Sequence, residues 1–164
     1  MTTANLLRVK RLLRESRLAA GHEIYTDESG RFWGNAGAGG VFLAEDTGRL
    51  LLQKRSPYVN EPGTYGTWGG AIDPGEDPKE ALEREIEEEA GYRGPKKLRL
   101  LYVYQDGKFR FSNYLVTVPS EFEPKHSWET SDHVWTTLDD LPKPLHFGFT
   151  ALLPYLKKAI ENQR

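Results

Sequence analysis

Apolar positions recur along this chain in two periods, and each change of period marks a change of element. Ala36–Ala44 and Leu50–Arg55 are short, mostly apolar runs on either side of Asp46, Thr47 and Gly48, which predicts two strands joined by a turn. Residues 98–104 and 108–118 flank Asp106-Gly107, a dipeptide that favours tight hairpins, so a second strand pair is expected there. Residues 134–137 predict one more short strand. Between the pairs the spacing lengthens: Leu82, Ile86 and Ala90 recur every four residues, the signature of one helical face. Asp77 suits the cap of that helix, Pro78 its first position and Gly91 a left-handed stop, and Glu80, three residues after Asp77, completes a capping box. Residues 149–160 predict a closing helix, provided Pro154 sits in or near its first turn. In residues 1–20, Leu6, Leu7, Val9, Leu12 and Leu13 interleave with Arg8, Lys10, Arg11, Arg14 and Arg17, which predicts an amphipathic helix.

Strands before and after a central helix, with helices at both ends, predict an α/β fold in which a mixed sheet lies between helical layers. No repeat or linker divides the chain, so a single domain over residues 1–164 is expected. The first helix is expected to pack on this domain or on a partner subunit, which makes a homodimer an expectation. Glu15 and the lack of a Ser-rich stretch argue against a mitochondrial transit peptide.

Composition narrows the classes of function. A formal net charge of -2 provides no overall attraction to nucleic acid. With no Cys, disulfides, a thiol nucleophile and thiolate-bound zinc are excluded. No apolar run approaches the roughly 18 residues of a membrane span, and a cytoplasmic location is expected.

The chemistry concentrates in one place. Glu83, Glu85, Glu87, Glu88 and Glu89 crowd into a seven-residue stretch of the central helix. At about 100° per residue, Glu85, Glu88 and Glu89 share a stripe beside the apolar face, whereas Glu83 and Glu87 point to solvent. Like charges at i,i+4 destabilise a helix by a few tenths of a kcal/mol per pair, on the order of 0.2–0.5, so compensation is expected from outside the chain. Hard divalent cations prefer such oxygen ligands, and Mg2+ in particular is held by a few carboxylates together with substrate phosphates.

Residues 70–92 resemble the Nudix box, G-x5-E-x7-R-E-U-x-E-E-x-G-U, where U is bulky and apolar. Gly70, Glu76, Arg84, Glu85, Glu88, Glu89 and Gly91 occupy every fixed position, Ile86 the first U, and Tyr92 the second as a mild departure. At an abundance of roughly 7% per residue, a chance match of the seven is on the order of one in a million. The resemblance implies an α/β/α sandwich and hydrolysis of a pyrophosphate bond in a nucleoside diphosphate linked to another moiety, such as a nucleotide sugar, a dinucleotide or a (d)NTP. It implies Mg2+, with Mn2+ as a substitute, and a small-molecule nucleotide as the partner. Glu88 and Glu89 are the first choices as ligands, with Glu85 a third ligand or the general base. The carbonyl of Gly69, just before the box glycine, is a further ligand by resemblance. Arg84 pairs with Glu76 to hold the box loop on the helix. Bound divalent ions neutralise phosphate oxygens and acidify coordinated water, the two things this reaction needs.

The family often adds an acid from a later loop. Glu129, six residues before Trp135, is the candidate, as ligand or base or else as a plain loop residue; Asp132 and Glu123 are substitutes. The four histidines are scattered with no metal-spaced pair, so His126 and His133 are read as surface or core residues in preference to the lining of a pocket. The run Gly34, Gly37, Gly39, Gly40 leads into a strand and lacks a P-loop ending, so it is read as close packing against another backbone. For the substrate, Arg55 is the candidate for a terminal phosphate in preference to Lys54, and Tyr58, Tyr65, Trp68, Phe109 and Trp128 are candidate stacking surfaces, with Trp68 and Phe109 carried forward. A non-catalytic nucleotide sensor and an isoprenoid-diphosphate isomerase-like enzyme are the alternatives. The first fits poorly with a full set of box acids, the second with the absence of Cys.

Overall fold

The structure, a computed structural model, describes residues 24–26, 32–34 and 36–163; the expected helix over residues 1–20 lies outside them. Strand β1 (Ile24–Thr26) pairs with β2 (Phe32–Gly34) in a small antiparallel ribbon. The main sheet is organised around β3 (Ala36–Ala44), which runs parallel to β8 (Phe109–Val118) and antiparallel to β4 (Leu50–Arg55) and β6 (Trp68–Ala71). The remaining strands β5 (Tyr65–Gly66), β7 (Lys97–Asp106) and β9 (Thr130–Thr136) complete a mixed sheet of seven, β5 and β9 on β4 and β7 on β8.

Alternation along β3 explains the layers. Phe42 and Ala44 join Leu82, Ile86 and Ala90 in one core, while Val41 and Leu43 join Phe149, Leu152 and Leu156 in the other. The first core belongs to α1 (Pro78–Glu85) and its continuation through Ala90, the second to α2 (Phe147–Glu161). Successive residues of a strand face opposite sides, so one strand feeds both cores and the α/β/α arrangement follows. Burying each Leu, Ile or Phe stabilises the fold by about 1.5–3 kcal/mol.

Three local outcomes differ from expectation. The stretch from the Asp77 cap to the left-handed Gly91 is not one α-helix: it is α-helical to Glu85 and a π-turn over Ile86–Ala90. Asp77 Oδ1 accepts the Glu80 N–H at 2.9 Å, as a capping residue should. Helix α2 starts at Phe147, two residues early, because the His146 ring caps it through Nδ1, which accepts the Gly148 N–H at 3.0 Å. Pro154 is therefore in the helix interior rather than its first turn. An interior proline costs about 3 kcal/mol, which burial of Phe149, Leu152, Leu156 and Ala159 outweighs. Finally, β9 begins at Thr130 rather than 134, since its pairing with β4 continues through polar Ser131, Asp132 and His133 to Arg55 past a bulge. No helix among the described residues is long and apolar enough to cross a membrane.

Candidate active site

The Nudix-like loop between β6 and α1 is drawn onto the helix by Arg84. Its Nε and Nη2 donate to the two oxygens of Glu76, each at 2.9 Å, and Nη2 also donates to the Ala71 carbonyl at 3.0 Å. Nη1 donates to Glu85 Oε1 at 3.0 Å and to Glu88 Oε2 at 3.2 Å. Asp73 Oδ2 adds a charge 3.3 Å from Nε. Every N–H of the guanidinium is thereby engaged. The fork to Glu76, reinforced by Glu85 and Asp73, drives the Arg84 pKa still higher. The expected pairing with Glu76 is present, but the idea that all compensation must come from outside is corrected: Arg84 supplies it for Glu76, Glu85 and Glu88.

It does not reach the other half of the cluster. Glu89, turned inward on the π-turn, is buried at 3% exposure. Its Oε2 accepts from the Gly69 N–H at 3.2 Å and lies 3.5 Å from Gln53 Nε2; among the described residues its buried Oε1 has no donor. Glu129 stands beside it, close enough for a carboxyl–carboxylate hydrogen bond whenever one of the two carries a proton. Burial pushes the Glu89 pKa well above the carboxylate range, and Glu129 and Glu85 add to that, against the Gly69 N–H. Burial likewise pushes Glu85 up to about 7, with Glu129 and Glu88 raising it and Arg84 opposing. Glu88 is at the solvent edge, more than half exposed. Glu85, Glu89 and Glu129, from a helix and a distant loop, therefore act on one another at one point. Asp132 and Glu123 are not among the groups that shift Glu85 or Glu89.

Two backbone approaches make this crowding feasible. A Cβ on Gly70 would stand 2.6 Å from Glu85 Oε1, so only glycine leaves room for the carboxylate. On β3, Cβ atoms at Gly37 and Gly39 would each meet the Phe111 ring at 2.7 Å. The glycine run thus packs chiefly against a side chain, where another backbone was expected.

An open cleft lies over Phe111 and ends at Glu129, Gly69 and Gly70, next to the acids. Arg55, Tyr58, Phe109 and Trp128 line it as expected, and Arg55 is the only Lys or Arg among its described lining residues. Arg55 Nε donates to the Asn60 carbonyl at 2.6 Å, which fixes the guanidinium on the cleft wall. Trp68 is a correction: it is fully buried in the α1 core, its Nε1 donating to the Leu51 carbonyl at 3.3 Å, because β6 is pinned between β3 and the helix. Tyr65 is also outside the cleft; Lys54 Nζ lies 5.8 Å from its ring centroid. Sequence reasoning missed Phe111, Tyr104 and Phe147 as lining residues. The spacing of Phe109 and Phe111, two apart on one strand face, was the available signal. It also missed Gln53, buried beneath the site, which donates to the Thr67 carbonyl at 2.8 Å and accepts from Thr130 Oγ1 beside Glu129.

The donor set fits a hard divalent cation: carboxylate oxygens converge, and among the described residues the buried Glu89 Oε1 has no hydrogen-bond donor. A divalent ion would satisfy both conditions, and Glu85, Glu88, Glu89 and Glu129 are the carboxylates that could hold it; at Gly69 the structure shows the N–H on Glu89, and its carbonyl is a ligand by family resemblance alone.

Comparison with known proteins identifies the family. The NUDIX domain family matches residues 35–156. A Mycobacterium tuberculosis protein provisionally named 8-oxo-dGTP diphosphatase 3 is 27% identical over 148 residues, covering 83% of this chain and 68% of that protein. Human diphosphoinositol polyphosphate phosphohydrolase 2 is 34% identical over 124 residues, covering 71% of this chain and 65% of its own length. The crystal structure of a Nudix hydrolase from M. smegmatis shares the fold, with a TM-score of 0.68 at 23% identity over 85% of this chain and 95% of that one. With the complete box, its Arg84 clasp and a family match over most of its length, this chain belongs to the NUDIX domain family and is a pyrophosphohydrolase of it.

Proposed function

We propose that the protein hydrolyses, with Mg2+ or Mn2+, a pyrophosphate bond in a nucleoside diphosphate linked to a second moiety. The observation that carries this reading is the buried Glu89 carboxylate facing Glu129, unreached by Arg84, at the end of a cleft lined by aromatic rings. A divalent ion bound there supplies positive charge to the phosphate oxygens and acidity to water. Arg84 holds Glu85 in place, and Glu85 or Glu129 takes the proton of the attacking water. With its pKa raised to about 7, Glu85 is suited to accept a proton near neutral pH. Phe109, Phe111, Tyr58 and Trp128 offer stacking faces to a nucleobase, and Arg55 faces the phosphates.

The cleft also favours one substrate class over another. A polyol bearing many phosphates calls for several cations, yet Arg55 stands alone of its kind on the described lining; a planar base calls for aromatic faces, and those are plentiful. The 8-oxo-dGTP reading of the mycobacterial relative is thus closer to this site than the inositol reading of the human one. A cytoplasmic setting and a homodimer are parts of the same proposal. Phosphate release across nucleotide sugars, dinucleotides, (d)NTPs and an inositol pyrophosphate, with Mg2+ or in chelator, tests it. Turnover of a nucleotide substrate, abolished by chelator without unfolding, is expected. Full turnover in chelator, or preference for the inositol substrate, would contradict it.

A further inference from the structure

We propose that His126, Asp132 and His133 form a second metal site, for Zn2+ or a similar transition ion, apart from the carboxylate cluster. His126 lies in the loop between β8 and β9, and Asp132 and His133 lie on β9, which among the described strands pairs with β4 alone. The sequence separates the two histidines by a loop and a strand start, yet the fold brings their rings together, against the expectation of scattered histidines. One ligand atom from each of the three residues lies within 4.8 Å of the others. The rings are hydrogen-bonded nitrogen to nitrogen, His126 Nε2 to His133 Nδ1 at 2.7 Å, the tautomer deciding which donates, with their planes steeply inclined.

Two imidazole nitrogens bound tetrahedrally to one ion sit about 3.3 Å apart, from metal–nitrogen bonds of about 2.0–2.1 Å. An ion would displace the proton that the two nitrogens share, releasing it to solvent, and open the pair by about 0.6 Å, a movement open to the exposed His126 side chain. Asp132 Oδ1 accepts the His133 backbone N–H at 2.8 Å, which orients the carboxylate and leaves Oδ2 for a cation. On the far side of the His133 ring, Glu123 Oε1 stands 3.7 Å from Nε2. That distance is longer than a hydrogen bond; closing onto Nε2–H would let the carboxylate fix the tautomer of a ligating histidine and raise its basicity. Exposure leaves the ion an entry path, and water completes the coordination.

Ligand chemistry separates the two sites. Imidazole with one carboxylate favours Zn2+, Co2+ or Ni2+, whereas the oxygen-only cluster at Glu85 and Glu89 favours Mg2+ and Mn2+. The consequence is mechanical. The loop carrying His126 also carries Glu129, whose backbone N–H bonds Ser127 Oγ at 3.2 Å and whose carbonyl accepts from Ser56 at 2.9 Å. An ion joining His126 to β9 would clamp this loop one residue before Ser127 and three before the acid.

Equilibrium dialysis of the full chain against Zn2+ in excess Mg2+ tests the proposal. Wild type is expected to retain a stoichiometric equivalent, the His126→Ala/His133→Ala double variant none, and Glu123→Gln to bind about tenfold more weakly. Melting in chelator checks that the variants fold. A probe that needs no variant is Co2+ broadening of the histidine ring proton resonances in wild type: those of His126 and His133 should vanish while those of His146 persist. No Zn2+ retained by wild type, equal retention by the folded double variant, or broadening that spares His126 and His133 would overturn the site.

Discussion

The acidic cluster has two halves, a few residues apart on one helix, in opposite electrostatic conditions. On the loop side, Glu76, Glu85 and Glu88 share the five N–H donors of Arg84, and their crowding is offset within the chain. On the sheet side, Glu89 is buried, faces Glu129 and accepts from neutral donors only, Gly69 and more distantly Gln53. The first half is a clasp; the second is a charge deficit that the described protein does not fill. Glu85 belongs to both, held by Arg84 and raised by Glu129. The difference supports the proposed division of the cluster into a clasp and a cation site.

The largest expected effect comes from the shared residue. Glu85→Gln removes the base or ligand, and steady-state turnover should fall by about 10²-fold or more. Its metal-free melting temperature should stay level or rise, because repulsion with Glu88 and Glu129 is relieved. If Glu85→Gln keeps near-normal turnover while Glu129→Gln is inactive, the base is Glu129; if both retain activity, the mechanism fails. Arg84→Gln should behave in the opposite way, losing stability as well as rate. It strands Glu76 and Glu85, and with the guanidinium only partly buried the cost should be about 1–3 kcal/mol in thermal melts in chelator.

A smaller effect sharpens the same contrast through pH. The unfolded Glu85 titrates near 4.3 and the folded one near 7, so protonation favours the fold. Its stabilising contribution is fully present below pH 4.3 and is lost as pH rises through 7, and Glu89, also raised, acts in the same direction. Metal-free protein should therefore lose on the order of 1–3 kcal/mol between pH 5 and 8. Glu121, whose pKa is lowered by Arg49, acts below this window. Mg2+ added at pH 8 should restore the loss. A metal-free stability that rises from pH 5 to 8 would refute the deficit.

Much of this was legible because the relevant pattern is local. Asp77, Arg84 and Gly91 act on neighbours within a few turns, so spacing predicts the cap and the stop, and the resemblance to the Nudix box implies the clasp. Glu89's burial was not legible: a π-turn departs from α-periodicity over only five residues, Ile86–Ala90, too few for the apolar pattern to register. Trp68 misled because nothing in its immediate sequence distinguishes a stacking aromatic from a core one, and only pairing of β6 with β3 shows that it is core. His126 and His133 meet through a loop closure, which leaves no period in the sequence. Glu129 lay between these cases, marked by its distance from Trp135 but placed by Gln53 and Thr130, a bond across 77 residues.

The unfilled charge around Glu89 is proposed as the cation site. Titration of Mn2+ into wild type and Glu89→Gln, followed by electron paramagnetic resonance of free Mn2+, tests it directly, with melts in chelator on the same samples. Glu89→Gln is expected to weaken Mn2+ binding by at least about tenfold while its metal-free melting temperature stays equal or rises. Unchanged Mn2+ affinity together with a lower melting temperature would make Glu89 a structural residue and contradict the account.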